Sequence, residues 1–237
     1  MSDKKYENVT IERENGITFV ILNRPEKRNA MSPALHYDMD DAITSLAEDK
    51  ETKVLVLTGA GDSWCAGQDI RLYFRATESD PDERRHSNAA SHHWRWEMLT
   101  RFPKPTIAMV NGYCYGAAFT QLCAVDFVIT AEDAVYGLSE VNWGIIPGGI
   151  VSWNLVEMIL PRHALYYAVT GEPFDGKRAV EIGLANIAVP KDQLKGETLK
   201  LAEKLLKLNP SVVQYTKEAI RQVRGMNRGT RYYVPRT

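Results

Sequence analysis

The order in which apolar runs and amphipathic stretches alternate limits the folds open to this chain more than any other feature. "KVLVLTGAG" (residues 53–61) and "PTIAMVNGYCYG" (105–116) read as buried strands, each running into a glycine-containing turn. Before the first lies the helix "SPALHYDMDDAITSLAED" (32–49). Ser32 is placed as its N-cap, Pro33 at its first position, and Leu35, Met39, Ile43 and Leu46 form its apolar stripe. A polar-rich helix, "DERRHSNAASHHWRWEMLTRF" (82–102), separates the two strands. The helix "AAFTQLCAVD" (117–126) and the strand "FVITA" (127–131) follow the second. The N-terminal "VTIERENGITFVILNR" (9–24) gives two β-rich runs around a glycine turn, a hairpin that Pro25 ends. Strand and helix in repeated succession predict an α/β fold with right-handed crossovers.

From about residue 151 the pattern changes. "SWNLVEMILPRHALYYAVTG", "DGKRAVEIG" and "LKGETLKLAEKLLKLNPSVVQYTKEAIRQVRG" are helical, with only the short "ANIAVP" among them. The chain is therefore divided into residues 1–190, an α/β core, and residues 191–237, a C-terminal helical region. The final "MNRGTRYYVPRT" has no periodicity.

A chain of 237 residues has ample core volume, and its formal net charge of −1 gives no electrostatic case for nucleic acid or a membrane surface as partner. No apolar run reaches bilayer length and the polar start "MSDKKYENVT" is no signal peptide, so a cytoplasmic location is expected. Cys65, Cys114 and Cys123 are odd in number and lack metal-ligand spacing, and read as reduced core thiols. The five histidines form no metal-spaced set and are expected at the surface. No metal site is expected.

The two glycine turns, "GAGDSWCAGQDI" and "NGYCYGAAFTQL", lie beyond the carboxyl ends of their strands, where α/β sheets bind ligands. One backbone N–H from each turn is what a developing oxyanion needs, although both also read as ordinary tight turns. Phosphate-loop and dinucleotide fingerprints are absent, as is a nucleophile elbow. What stands out instead is "YGLSEVNWGIIPGG" (136–149), a nearly apolar stretch carrying one acid, Glu140. An acid buried among Leu138, Val141, Trp143, Ile145 and Ile146 must be paired, neutral or functional. A carboxylate facing oxyanion donors suits acid–base chemistry beside an enolate better than hydrolysis.

Five segments in order, "ILNRPEKRNAMS", "VLVLTGAGDSWCAGQDI", "KPTIAMVNGYCYGAAF", "GLSEVNWGIIPGG" and "VTGEPFDGKRAVEIGLANIAVP", resemble the crotonase (enoyl-CoA hydratase/isomerase) superfamily from about Val9 to Gly225. The resemblance implies a spiral of ββα units with a C-terminal helical region that mediates trimer assembly, as a homotrimer or dimer of trimers. It also implies an acyl-coenzyme A thioester as substrate; coenzyme A enters with it, and no separate cofactor is implied. The family's oxyanion donors fall on the backbone N–H of Gln68 and of Ala117, the latter usually glycine. Lys27 and the loop Ala66, Gln68, Asp69 and Ile70 match coenzyme A contacts. Ordinary hydratases use two glutamates: the second matches Glu140, whereas the first falls on Thr120 and is missing.

Within the superfamily the chain is most similar to the hydroxycinnamoyl-CoA (feruloyl-CoA) hydratase-lyases, which carry one glutamate and a small hydroxyl residue at the Thr120 position. Shared with them are "LSE-x-NWG", which places Ser139 and Trp143 in the site, the Trp94/Trp96 pair, and Tyr73 on the aryl pocket. A C-terminal tyrosine near the substrate phenol corresponds to Tyr232 or Tyr233. Relatives continue through a further helical tail, so a truncated or diverged end is expected. The implied reaction is hydration of a 4-hydroxycinnamoyl-CoA double bond, then carbon–carbon cleavage to an aromatic aldehyde and acetyl-CoA. Another crotonase activity and a non-catalytic scaffold are the alternatives. Asp69 and Asp126 read as loop-capping or structural acids.

Overall fold

The computed structural model describes residues 4–148 and 150–223. The hairpin forms where expected, β1 (Val9–Glu14) pairing antiparallel with β2 (Ile17–Leu22). Its two-residue turn, Asn15–Gly16, has φ of 50° and 84°, the positive pair that matches the twist of the flanking strands. α1 (Pro33–Glu48) begins with Ser32 Oγ accepting from Leu35 N at 3.2 Å and buries Leu35, Met39, Ala42, Ile43 and Leu46. It crosses over to β3 (Val54–Gly59), which pairs parallel with β2.

From β3 onward each turn of the spiral uses two strands rather than one. β3 is followed by β4 (Ser63–Cys65), then by a π-helical turn (Ile70–Arg75) and α2 (Pro81–His92), which runs on into a second π-helical turn (His93–Met98). β5 (Thr106–Val110) is followed by β6 (Tyr113–Tyr115) and α3 (Ala118–Ala124). β7 (Phe127–Ala131) is followed by β8 (Val135–Gly137) and a 3-10 turn (Ser139–Trp143). α4 (Val151–Met158), α5 (Pro161–Thr170), β9 (Phe174–Asp175), α6 (Gly176–Glu181), β10 (Ile187–Val189), α7 (Leu194–Leu206) and α8 (Pro210–Val223) complete the order.

The first strand of each turn joins a six-stranded sheet, β1-β2-β3-β5-β7-β10, and the second joins a four-stranded sheet, β4-β6-β8-β9. The pairings β3–β5, β5–β7, β4–β6 and β6–β8 are all parallel, as a spiral of ββα units requires. "PTIAMVNGYCYG" is therefore not one strand. It bends at Asn111–Gly112, where Asn111 Nδ2 donates to Gly59 O (2.9 Å) and Gly61 O (2.8 Å) at the neighbouring bend. Trp64 is fully buried and its indole N–H donates to Leu57 O at 3.2 Å, tying β4 back to β3. The core draws on both sheets and on α1 and α3.

"SWNLVEMILPRHALYYAVTG" is helical as expected, in two pieces, because Pro161 cannot continue α4 and instead starts α5. One further reading needs correction. The histidines are not all at the surface: His36 is fully buried. It sits three residues before Met39 and seven before Ile43, on the apolar face of α1.

Candidate active site

The sheet topology sets the turns after β4 and β6 side by side, because those strands are parallel neighbours. Gly67 and Gly116 have φ of 89° and 53°, a region that side chains other than glycine rarely adopt. Their closeness is a second constraint. A Cβ on Gly67 would lie 2.8 Å from Tyr115 O and 3.4 Å from Ala117 N. The turn before Gln68 thus touches the turn that carries Ala117.

Several backbone N–H groups around these turns are bonded. Met31 N donates to Gly67 O (2.8 Å), Asp69 N to Met31 O (2.9 Å), Ala66 N to Arg28 O (3.0 Å) and Gly116 N to Gly137 O (2.9 Å). The N–H groups of Gln68 and Ala117 have no acceptor among the described residues. Two unpaired donors in touching turns form a place for an oxygen ligand.

Glu140 lies on the 3-10 turn after β8, the strand parallel to β6. A Cβ on Gly116 would come within 3.1 Å of Glu140 Oε1, so the carboxylate rests against the Ala117 turn. Its Oε2 is buried without a hydrogen-bond partner among the described residues. Desolvation of the charged form raises the Glu140 pKa. The apolar neighbours expected to bury it do not: only Leu138 is buried, whereas Trp143 is 70% and Ile146 82% exposed. The segment is a turn running over the surface rather than an element packed against the core, so the desolvation comes from the Gly116 side.

Gln68 also enters a buried side-chain network. Trp94 Nε1 can only donate, and it donates to His36 Nδ1 at 3.0 Å. The other ring nitrogen, Nε2, then carries the proton and donates to Gln68 Oε1 at 2.8 Å. Burial, and then the nearby Arg95 charge, push the His36 pKa down to about 3, which keeps the ring neutral. The remaining Gln68 amide nitrogen points at Ser91 Oγ (3.4 Å), which also accepts from Arg95 Nη2 at 2.7 Å. Arg95 completes its fork on Ser91 O and Ala117 O, each at 3.0 Å. Trp94 is thus a core residue, while Trp96 is partly buried and meets Trp153 edge-on at 5.2 Å.

Thr120 is buried in α3, one helical turn past Ala117, and its N–H donates to Ala117 O at 3.2 Å. Tyr73 is buried in the Ile70–Arg75 turn, edge-on to His36 at 5.2 Å, with its hydroxyl bonded to Asn88. Asp69 caps that turn, accepting from Arg71 N (3.1 Å) and Leu72 N (2.9 Å), and pairs with Arg24 at 3.1 Å. Lys27 and Ile70 are exposed at the mouth of the two stitched loops, with Ala66 between surface and core. Ser139 is half-buried beside Glu140. Tyr232 and Tyr233 lie outside the described residues. His36, Ser91 and Arg95 were not singled out from the sequence. The spacing of His36 on α1 was a usable signal, but Ser91 and Arg95 sit where a helix turns to π geometry and ordinary periodicity fails.

The arrangement offers two N–H donors without acceptors among the described residues and one carboxylate with a free oxygen at the same turn, which suits proton transfer next to a stabilised oxyanion. Comparison with known proteins agrees. The family model for enoyl-CoA hydratase/isomerase matches residues 12–233. A hydroxycinnamoyl-CoA hydratase-lyase of Pseudomonas fluorescens is 46% identical over 93% of this chain and 80% of its own. A probable mitochondrial enoyl-CoA hydratase of Dictyostelium discoideum is 32% identical over 92% of this chain and 76% of its own. The crystal structure of an enoyl-CoA hydratase from Bacillus anthracis superposes with a TM-score of 0.87 at 30% identity, covering 95% of this chain and 87% of that one. With the two-sheet spiral, the touching donor turns and these matches together, the chain is an enzyme of the enoyl-CoA hydratase/isomerase family.

Proposed function

We propose that this enzyme is a hydratase-lyase acting on 4-hydroxycinnamoyl-CoA thioesters such as feruloyl-, coumaroyl- and caffeoyl-CoA. The observation that carries the reading is the pair of unpartnered N–H groups at Gln68 and Ala117 with the lone Glu140 carboxylate against the same turn. The hydroxycinnamoyl-CoA hydratase-lyase relative supports the choice of substrate. The thioester oxygen accepts from both N–H groups. Glu140 takes a proton from water as its oxygen bonds to the β-carbon, and the resulting enolate is protonated at the α-carbon by the same group. Glu140 then takes the β-hydroxyl proton as the carbon–carbon bond breaks, releasing the aromatic aldehyde, and returns it to the acetyl-CoA enolate. The thioester oxygen holds the negative charge in both steps, and no cofactor beyond the coenzyme A of the substrate is needed.

In this reading Lys27, Ala66, Asp69 and Ile70 frame the coenzyme A entrance, with Asp69 acting by holding the loop. Tyr73, Ser139 and Trp143 border the acyl group, Thr120 orients water or Glu140, and Tyr232 or Tyr233 approaches the phenol. The division at residue 190 into a spiral core and a helical region belongs to the same proposal. So does closed assembly as a trimer or dimer of trimers, supported by exposed Leu160, Leu165, Val169, Val212 and Ile220. Three buried thiols outside any disulfide suit a reducing cytoplasm. Among the described residues no helix is long and apolar enough to cross a membrane.

Incubation with feruloyl-CoA tests the reading, following loss of its long-wavelength absorbance with release of vanillin and acetyl-CoA. Hydration without aldehyde release would assign a simple hydratase instead. Binding without turnover would point to a scaffold.

A further inference from the structure

Arg95 is 9% exposed and makes no ion pair among the described residues, which is an unusual state for a guanidinium. Burial lowers its pKa to about 10, so it remains a cation at neutral pH. All its bonds go to neutral acceptors, and those acceptors are not scattered. Nη1 holds Ala117 O at 3.0 Å, and Nη2 holds Ser91 Oγ at 2.7 Å, which in turn faces Gln68 Nε2 at 3.4 Å. Arg95 therefore links, directly to Ala117 and through Ser91 to Gln68, two residues whose N–H groups have no acceptor among the described residues.

We propose that Arg95 is the positioning residue of this site, clamping the Ala117 and Gln68 turns at a fixed spacing and setting a positive charge behind the oxygen they bind. The proposal rests on the thioester reading above. Clamping the Ala117 carbonyl fixes the residue, at φ −58° and ψ −13°, and with it the direction of its N–H. The charge does a second job. Backbone dimensions put the guanidinium on the order of 8 Å from an oxygen bound to Ala117 N–H. At an effective dielectric of about 20, a charge at that distance changes the rate of forming an anion by about 30-fold. The charge polarises a neutral bound thioester but stabilises it far less than the anion, so the effect on rate belongs in kcat rather than in KM.

The test uses full-length Arg95→Met, Arg95→Lys and Ser91→Ala, with folding checked by circular dichroism. Turnover of feruloyl-CoA is measured, together with the red shift of its absorbance on binding, which reports polarisation of the thioester carbonyl. Arg95→Met is expected to lose about 30-fold in kcat with KM within about 3-fold, and to show a smaller red shift. Arg95→Lys, which keeps the charge, is expected to recover most of the loss. A folded Arg95→Met within about 3-fold of wild type, or a lysine variant no better than methionine, overturns the proposal. If Arg95→Met does not fold, Ser91→Ala decides. It should lose about 3- to 10-fold in kcat by releasing Gln68, and an unchanged kcat and red shift overturn the clamp. If wild type neither binds nor turns over feruloyl-CoA, the thioester reading fails and this inference with it. If wild type is active and the variants match it, only this inference fails.

Discussion

At residue 117 the backbone permits a clean test of the donor pair. Ala117 has φ −58°, the value proline imposes, sits just before α3, and its N–H has no acceptor among the described residues. Ala117→Pro should therefore fold while losing one oxyanion donor, and kcat should fall about 10²–10³-fold. Wild-type turnover by a folded, ligand-binding variant would remove Ala117 from the mechanism. Glu140→Ala should cost about 10²–10⁴-fold while thioester binding persists, since no second carboxylate replaces it in either step; retention of a tenth of the activity would contradict that role. His36 gives a pH prediction. Its folded pKa of about 3 lies below the unfolded value of 6.5, so the folded state resists a proton that the unfolded chain accepts. Stability is complete above about pH 6.5 and declines by about 1.4 kcal/mol per unit as pH falls towards 3. Urea unfolding should show a loss of about 2 kcal/mol between pH 7.5 and pH 5, and His36→Asn should flatten that difference although it lowers stability overall.

At the scale of elements, what could be read in advance depended on length. α1 was legible from its cap, its proline and its stripe because sixteen residues repeat one pattern several times. β4, β6 and β8 were not, since three residues carry no period and their place in a second sheet is decided by bends such as Asn111–Gly112. For the site the division is similar. Glu140 could be picked out because an acid in an apolar stretch stands out, and Gln68 and Ala117 because the family resemblance sets its donors there, whereas the Trp94–His36–Gln68–Ser91–Arg95 chain is assembled from elements whose contact only the fold creates. The exposed flank of Glu140 was misread for the opposite reason, an apolar composition taken for burial. α8 shows how polar contacts can anchor an element that has no fully buried residue. None of its residues is buried, yet Lys217 Nζ reaches Phe102 O (2.9 Å) and Asp126 Oδ2 (2.6 Å), and Arg221 reaches Asp126 Oδ1 (2.9 Å). Lys217→Met should cost about 1.5 kcal/mol in urea unfolding, because Asp126 loses one of its two cations while Arg221 and Thr106 still hold it; a loss under about 0.5 kcal/mol would show the anchor to be incidental.

For the whole molecule, the surface formed by Trp143, Ile146, Leu160, Leu165 and Val169, together with the outer face of α8, is too apolar to be left to water. Light scattering at micromolar concentration should report a closed oligomer, and a monomer at that concentration would contradict the assembly. Val169→Asp should shift the mass downward. The Asp126 anchor bears on how the chain is made as well as on how it stands. Its carboxylate also accepts from Thr106 N and Oγ1 at 2.8 and 2.9 Å, so the start of β5 and the end of α8 share one acid. During synthesis Asp126 emerges about ninety residues ahead of Lys217, a delay of several seconds at the usual pace of a ribosome. For that interval the spiral holds a carboxylate whose cations do not yet exist. That corner gains its cations only once α8 has been made, so a helix synthesised late completes a core begun at β1.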